Sequence, residues 1–144
     1  MNKWDKRYLD LAMLVASWSK DPSTKVGSCI IDENGNPVAF GFNGFPRGLL
    51  DTEDRLNDRT FKYAHTLHAE ENCMLFSNRT YLEGCTIYIS HPPCTKCLSV
   101  MKQRKLTKVV CYSGNEDFRS RWGDNSDTLA LSEELGIEVK IYQN

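Results

Sequence analysis

Residues 86–112 read TIYISHPPCTKCLSVMKQRKLTKVVCY, an apolar run, a helical stretch and a second apolar run. We predict strands at Thr86–Ser90 and Lys108–Tyr112, with a helix at Thr95–Gln103 that Pro92-Pro93 introduces. A helix that connects two strands of one sheet forms a crossover, so these strands are expected to run parallel. The segment therefore predicts an α/β fold.

The alternation of strands and helices continues in both directions from this segment. Downstream, a predicted helix at Ser126–Leu135 leads to a strand at Ile137–Tyr142, which makes a second crossover. Upstream, the apolar runs Val26–Ile31 and Val38–Phe42 are joined by Asn34-Gly35, a strong hairpin signal. The sheet is therefore predicted to be mixed. We also predict helices at 4–19 and 67–77 and a polar loop up to about residue 62.

Composition limits the class of protein. The 144 residues are 40% hydrophobic and 26% charged, as expected for one globular domain covering residues 1–144. A net charge of −1 provides no basic surface for a long nucleic acid, whereas a small phosphorylated ligand needs only one or two cations. The longest apolar run is far shorter than the ~20 residues that span a bilayer, and the first residues do not resemble a signal peptide. We therefore expect a cytoplasmic protein without membrane contact, in the host cytoplasm if the protein is viral.

The six cysteines fall into two groups. Without a secretion signal, a disulfide scaffold is not expected. Four cysteines lie in apolar surroundings and are predicted to pack as small hydrophobic side chains, namely Cys29, Cys73, Cys85 and Cys111. Only Cys94 and Cys97 have the spacing of metal ligands.

His68 and Glu70, together with Cys94 and Cys97, have the composition of a catalytic zinc site. His68, Cys94 and Cys97 would supply one imidazole and two thiolates, leaving the fourth tetrahedral position of zinc open for water. The residues fall at two predicted helix starts, whose positive ends favour thiolates. Glu70 is predicted to take a proton from the zinc-activated water and pass it to the substrate. His-x-Glu followed by Pro-Cys-x-x-Cys is the general signature of zinc deaminases.

Other interpretations of the same residues stay open at this point. Cys94 and Cys97 could form a redox pair of the thioredoxin type, although this leaves His68 and Glu70 unexplained. A closed structural zinc site could use His65 or His91 as its fourth ligand, but both histidines are more simply interpreted as surface residues. The basic run at 102–105 is predicted to be a solvated helix end and not a nucleic-acid patch.

The chain resembles the deoxycytidylate (dCMP) deaminase family of the cytidine deaminase-like superfamily over most of its length. Three stretches carry the resemblance: DPSTKVG at 21–27, GFNGFPRG at 41–48, and HAEEN at 68–72 with PPCTKC at 92–97. The resemblance implies a three-layer α/β/α fold with a five-stranded mixed sheet. It further implies zinc-dependent hydrolysis of dCMP to dUMP and ammonia, which supplies thymidylate synthesis. Family members are homo-oligomers, so a hexamer or trimer is expected, with dCTP (carrying Mg²⁺) as activator and dTTP as inhibitor.

Several residues are candidates for contacts with such a substrate. Asn43 offers both a donor and an acceptor to a sugar or base edge, and Ala69 leaves room for a base beside the metal. Ser23, Thr24 and Lys25 form a loop of two hydroxyls and one cation, suited to a phosphate. The simpler alternative for that loop is a turn that ends the first helix.

Two further groups are candidate contacts to a nucleotide phosphate or an effector. By resemblance, Gly41, Gly44 and Arg47 belong to the glycine-rich run that takes part in nucleotide contacts. The segment 113–125 is long for a strand-to-helix connection. We hypothesise that its Arg119 and Arg121 meet the nucleotide phosphate or a neighbouring subunit.

Three competing functions stay open from the sequence. Deamination of a base within tRNA or single-stranded DNA would need a basic groove with stacking aromatic side chains, which the net charge disfavours. A deaminase of a free base or a pterin-like molecule would share the zinc motif but not the run at 41–48. A zinc-stabilised interaction module is the alternative that is not an enzyme.

Overall fold

A computed structural model describes residues 1–123 and 125–144 of the chain. The strands are β1 (Gly27–Ile31), β2 (Pro37–Phe42), β3 (Thr86–Ile89), β4 (Lys108–Tyr112) and β5 (Glu138–Tyr142). The helices of the described residues are α1 (Lys3–Ala16), α2 (Glu53–Leu56), α3 (Arg59–His65), α4 (Ala69–Phe76), α5 (Thr95–Gln103), α6 (Glu116–Trp122) and α7 (Ser126–Leu135). None of these helices combines the length and the apolar character needed to cross a membrane.

The five strands form one mixed sheet in the order β2-β1-β3-β4-β5. β1 pairs antiparallel with β2 and with β3, whereas β3, β4 and β5 run parallel. The hairpin predicted at Asn34-Gly35 and the two predicted crossovers are therefore confirmed. So is the five-stranded mixed sheet that the family resemblance implies.

Helices cover both faces of the sheet, which gives the expected three layers. On one face, α1 packs over a cluster of buried side chains comprising Leu9, Cys29, Ile31, Tyr88 and Val110. On the other face, α4, α5 and α7 enclose a larger core that includes Ile30, Ile87, Ile89, Leu98 and Met101. The four cysteines predicted to pack as small hydrophobic side chains are all buried. β1 is buried along its whole length because it lies between the two cores.

Two segments predicted to be loops contain helices, so those predictions are wrong. The polar stretch before residue 62 holds α2 and α3, which begin where the side chains of Thr52 and Asp58 accept hydrogen bonds from backbone N–H groups. The connection after β4 holds α6, which begins at Asn115. These helices are short and lack a wide apolar face, so the periodic pattern that identifies longer helices is missing. Asp124, in the same connection, lies outside the described residues, and α1 ends earlier than predicted, at Ala16.

β2 approaches the beginning of α4 too closely for a side chain at Gly41. A Cβ atom at that position would lie closer than 3.0 Å to the backbone carbonyl oxygen of Ala69 and to the backbone nitrogen of Cys73. The hydroxyl of Ser28 donates a hydrogen bond to the same Ala69 carbonyl, at 3.0 Å. Packing of the sheet against α4 therefore accounts for the glycine at position 41.

We expect Gly41→Ala to lower the free energy of unfolding by about 3 kcal/mol, because backbone atoms on both sides must move to admit the methyl group. Gly44→Ala is the matched control, since a Cβ atom there meets nothing within 4 Å. Urea titration of the two variants and the parent chain measures the difference. Equal destabilisation by both substitutions would show that the contact between β2 and α4 is not as tight as described.

Candidate active site

Three side chains converge where two helices begin. His68 caps the N-terminus of α4, Cys94 caps that of α5, and Cys97 lies in the first turn of α5. Nδ1 of His68 lies 3.5 Å from Sγ of Cys94 and 3.4 Å from Sγ of Cys97. The structure thus brings together the three residues predicted from sequence to bind zinc, which we call the ligand cluster.

The ligand cluster fits a tetrahedral zinc ion. Typical zinc–sulfur and zinc–nitrogen bonds of about 2.3 and 2.0 Å separate a nitrogen and a sulfur ligand by roughly 3.5 Å. The two measured nitrogen–sulfur distances, 3.5 and 3.4 Å, agree with that value. Within residues 1–123 and 125–144, no fourth His, Cys, Asp or Glu joins the group. A site with three protein ligands and one open position is typical of catalytic zinc and not of structural zinc.

The surroundings shift the pKa values of the Cys94 and Cys97 thiols in opposite directions. Hydrogen bonds from Cys97 and His68 lower the pKa of Cys94 to about 4. The hydrogen bond to the Cys94 thiolate, together with burial, raises the pKa of Cys97 far above its ordinary value. The two sulfurs thus share one negative charge, and both become thiolates only beside a strong cation. A divalent metal supplies that cation.

Glu70 lies in the first turn of α4 and is almost completely buried, with 4% of its surface exposed. Burial raises the pKa of its carboxyl group to about 7. A carboxyl group with a pKa near neutrality can both accept and release a proton, as general acid–base catalysis requires. Glu70 and His68 both line the adjoining cavity, so the acid–base group and the ligand cluster face the same space.

The cavity measures about 470 Å³, a size typical of small-molecule sites. We call the part of its lining formed by His68, Glu70 and Cys94 the metal end. Its lining also includes three cationic side chains with a nearby hydroxyl, the cationic group formed by Arg59, Lys62, Arg121 and Ser23. Aromatic and proline side chains complete the wall, including Tyr63, Pro92, Pro93, Phe118 and Trp122. The cavity therefore offers reactive groups, apolar surface and positive charge to one ligand.

Four of the predicted substrate-binding residues line this cavity, namely Ser23, Thr24, Asn43 and Ala69. The Asn43 amide also holds the loop before β1 in place. Its Oδ1 accepts a hydrogen bond from the backbone of Val26, and its Nδ2 donates to the carbonyl of Thr24, both at 2.9 Å. After these two hydrogen bonds, one hydrogen on Nδ2 and one lone pair on Oδ1 of Asn43 stay available for a ligand.

Other predicted contacts lie elsewhere, apart from Arg121, which lines the cavity. Lys25 lies outside the cavity lining, and its Nζ donates to the carbonyl of Ser19. Arg119 donates to the carbonyl of Gly114 at 2.6 Å, and the Arg47 guanidinium lies 4.8 Å from the centre of the Phe76 ring. Gly44 lines a smaller neighbouring cavity of about 250 Å³.

Lys62 is a cavity residue that the sequence did not indicate. It is 5% exposed, and its Nζ lies 3.1 Å from Oδ1 of Asp21 and 3.2 Å from Oγ of Ser23. Burying a lysine is costly unless a carboxylate pairs with it, and Asp21 supplies that partner. The residue was missed because its helix, α3, was predicted as loop, so no pattern assigned Lys62 an inward face.

His91 was also misjudged, because the prediction that it lies on the surface is wrong. It is half-buried and lines the cavity between β3 and α5. His65, by contrast, is exposed as predicted; its ring stacks on Phe61. Neither histidine belongs to the ligand cluster.

Comparison with known proteins agrees with this geometry. The family described as "Cytidine and deoxycytidylate deaminase zinc-binding region" matches residues 2–113. An uncharacterized deaminase in the luxG 3' region of Aliivibrio fischeri is 46% identical over 96% of this chain and 93% of its own length. Human deoxycytidylate deaminase is 32% identical over 77% of this chain, which spans 65% of the human protein.

A solved structure adds a ligand-bound relative. The dCMP deaminase of cyanophage S-TIM5, in complex with dCMP and dUMP, superposes with a TM-score of 0.76. It is 26% identical, and the match covers 99% of both chains. From the family match, the 46% identical relative and the ligand cluster, the chain belongs to the cytidine and deoxycytidylate deaminases with this zinc-binding region.

Proposed function

We propose that this chain is a zinc-dependent deaminase that hydrolyses dCMP to dUMP and ammonia, and so supplies thymidylate synthesis. The observation that carries the proposal is one cavity that joins the ligand cluster and Glu70 to the cationic group. A nucleoside monophosphate has the matching parts, a base to be deaminated and a phosphate to be neutralised. The S-TIM5 relative, which was solved with dCMP and dUMP, supports the same substrate.

His68, Cys94 and Cys97 would hold the zinc ion and leave one position open to the cavity. A zinc ion in such a site acts as a Lewis acid that lowers the pKa of a water molecule to about 7. The N-termini of α4 and α5 both point toward the cluster, and their positive ends offset part of the negative charge of the two thiolates.

Glu70 would move the protons of the reaction. It would take one proton from the attacking water and deliver it to the ring nitrogen beside the reacting carbon. It would then carry the second proton of that water, from the hydroxyl group now on the carbon, to the amino group, so that ammonia departs and the carbonyl of dUMP forms. Its burial in the first turn of α4 keeps these transfers away from bulk water. The backbone N–H of Ala69, the first residue of α4, has no acceptor within the helix and can donate to the base.

The cationic group would bind the phosphate. Lys62 is held in position by Asp21 and Ser23, whereas Arg59 and Arg121 approach the cavity from α3 and α6. Hydrogen bonds between such cations and a phosphate are roughly twice as strong as neutral ones. This group would therefore favour dCMP over deoxycytidine.

Three further properties belong to the proposal. A homo-oligomer, trimer or hexamer, is supported by exposed apolar side chains around the edge strand β2: Trp18, Phe40, Phe42, Leu75 and Phe76. A cytoplasmic location is consistent with six free cysteines, since thiols stay reduced there. Mg²⁺ would enter only with a triphosphate effector.

We expect Glu70→Gln to lower dCMP turnover by roughly 10²–10⁴-fold or more, because the proton carrier is lost. Zinc content, measured by atomic absorption, stays at one equivalent because the side chain at position 70 is not a metal ligand. Cys97→Ser is the matched contrast and loses zinc and turnover together. Unchanged ammonia release by Glu70→Gln would refute the deaminase and favour a zinc-stabilised interaction module.

Arg121→Gln is expected to lower the ratio of kcat/KM for dCMP to that for deoxycytidine by about 10-fold or more, since a charged hydrogen bond to the phosphate is removed. Arg119→Gln is the control on the same helix, because Arg119 bonds to Gly114 and does not line the cavity. Its ratio should stay at the parent value. If both substitutions change the ratio equally, Arg121 has no separate role in phosphate binding.

We expect dCTP with Mg²⁺ to raise, and dTTP to lower, the turnover of dCMP at subsaturating substrate. The smaller cavity, which Gly44 lines, shares Asp21, Asn43 and Thr66 with the larger one. A ligand bound there would contact Asp21. Because Asp21 pairs with Lys62, a shift of Asp21 would also change the position of the Lys62 ammonium group. Initial rates with each triphosphate measure the effect, and identical rates in all conditions would rule out this regulation.

A further inference from the structure

The Nδ1 atom of His91 is hydrogen-bonded to Ser90, which is in turn bonded to the first residue of β1. Ser90 is fully buried, and its Oγ accepts a hydrogen bond from the backbone N–H of Gly27 at 3.0 Å. The same Oγ lies 2.8 Å from Nδ1 of His91. A serine hydroxyl has a single hydrogen, and leaving it unpaired in the interior is costly. The hydroxyl therefore donates to Nδ1, and the ring proton of His91 is on Nε2.

The ring carries no charge at neutral pH, since burial lowers the pKa of His91 to about 4. A neutral imidazole that accepts at Nδ1 is a donor at Nε2. His91 is thus a single, directional hydrogen-bond donor and not a cation.

An aromatic side chain restricts the movement of the imidazole. The ring of Phe118 packs against it with centroids 4.5 Å apart and planes inclined by 41°. The rings of Phe118 and Trp122 are also in contact, with their centroids 6.4 Å apart. With Ser90 on one edge and Phe118 against the ring, the direction of the Nε2–H bond is fixed before any ligand enters.

The Nε2–H group has no acceptor in the part of the chain that the structure describes. Every fully buried side-chain nitrogen and oxygen in that part has a hydrogen-bond partner, so Nε2 is not sealed inside the protein. The His91 ring lines the cavity, three residues before Cys94 of the ligand cluster. An oriented donor without a protein acceptor thus lies in the wall of the cavity beside the metal end.

We propose that His91 is a substrate-binding residue whose Nε2–H donates a hydrogen bond to an oxygen of the nucleoside, not of the phosphate. The inference rests on the proposed function, because it requires a cytosine nucleotide in the cavity. His91 and Cys94 belong to one continuous stretch of the cavity lining, residues 91–94, so His91 shares a wall with the ligand cluster, where the reacting base would lie. Its neutral donor suits a ring carbonyl or sugar oxygen. The charged side chains of Lys62 and Arg121, which line the same cavity, are the partners proposed above for the phosphate.

Two substitutions separate the donor from the ring. His91→Phe keeps an aromatic ring for Phe118 to pack on but removes the donor, whereas His91→Gln keeps an N–H donor without the ring. We expect His91→Phe to lower kcat/KM by about 10-fold or more, equally for dCMP and deoxycytidine, and to weaken dUMP binding by a similar factor. His91→Gln should stay within about 3-fold of the parent chain in both measurements.

Calorimetry gives the dUMP dissociation constants, and zinc content with the thermal midpoint confirms that each variant is folded. His91→Leu replaces His91→Phe if the latter does not fold. Parent-level kcat/KM in the variant without a donor overturns the inference. So does an equal loss in His91→Gln, which would assign the effect to the ring, or a loss confined to dCMP, which would assign it to the phosphate. A parent chain that deaminates neither dCMP nor deoxycytidine refutes the proposed function itself.

Discussion

The close approach of β2 to the first turn of α4 is the constraint on which the rest of the site depends. Gly41 has no side chain to separate them, and the Ser28 hydroxyl donates a hydrogen bond to the Ala69 carbonyl. The Asn72 amide adds a 2.9 Å hydrogen bond to the carbonyl of Phe42. Because His68 and Glu70 flank Ala69 in sequence, these contacts fix the backbone that carries the proposed metal ligand and the proposed proton carrier.

The second half of the ligand cluster depends on the parallel part of the sheet. β3 ends directly before the turn that carries Pro93, and the hydroxyl of Thr128 in α7 donates to the Pro93 carbonyl at 2.8 Å. α5 therefore begins at a fixed point beside α4. Two sulfur atoms that would repel each other as thiolates are held close together by packing, so the folded chain contributes the energy of assembling the ligands before a metal binds.

Most of the fold and the reactive centre could be predicted from sequence because their signals are local. The crossover at 86–112 and the hairpin at Asn34-Gly35 each follow from a short pattern, and the His-x-Glu and Cys-x-x-Cys spacings follow from helix geometry. Lys62 and His91 could not be predicted in this way. Lys62 reaches the cavity through a short helix without an apolar face. The orientation of the His91 ring depends on Ser90, which follows β3, and on Gly27 at the start of β1. Such roles depend on contacts between distant segments, which no single stretch records.

The cavity is built from two kinds of element, and this division has an evolutionary consequence. The metal end stands on α4 and α5, which pack on the sheet, whereas Arg59, Lys62 and Arg121 stand on α3 and α6, short helices within connections. Connections tolerate insertion and substitution better than elements packed on a core. Proteins with this architecture can therefore differ in the residues proposed here to bind the phosphate while they share the same metal end. One reactive centre can in this way serve many amino-heterocycles across a lineage.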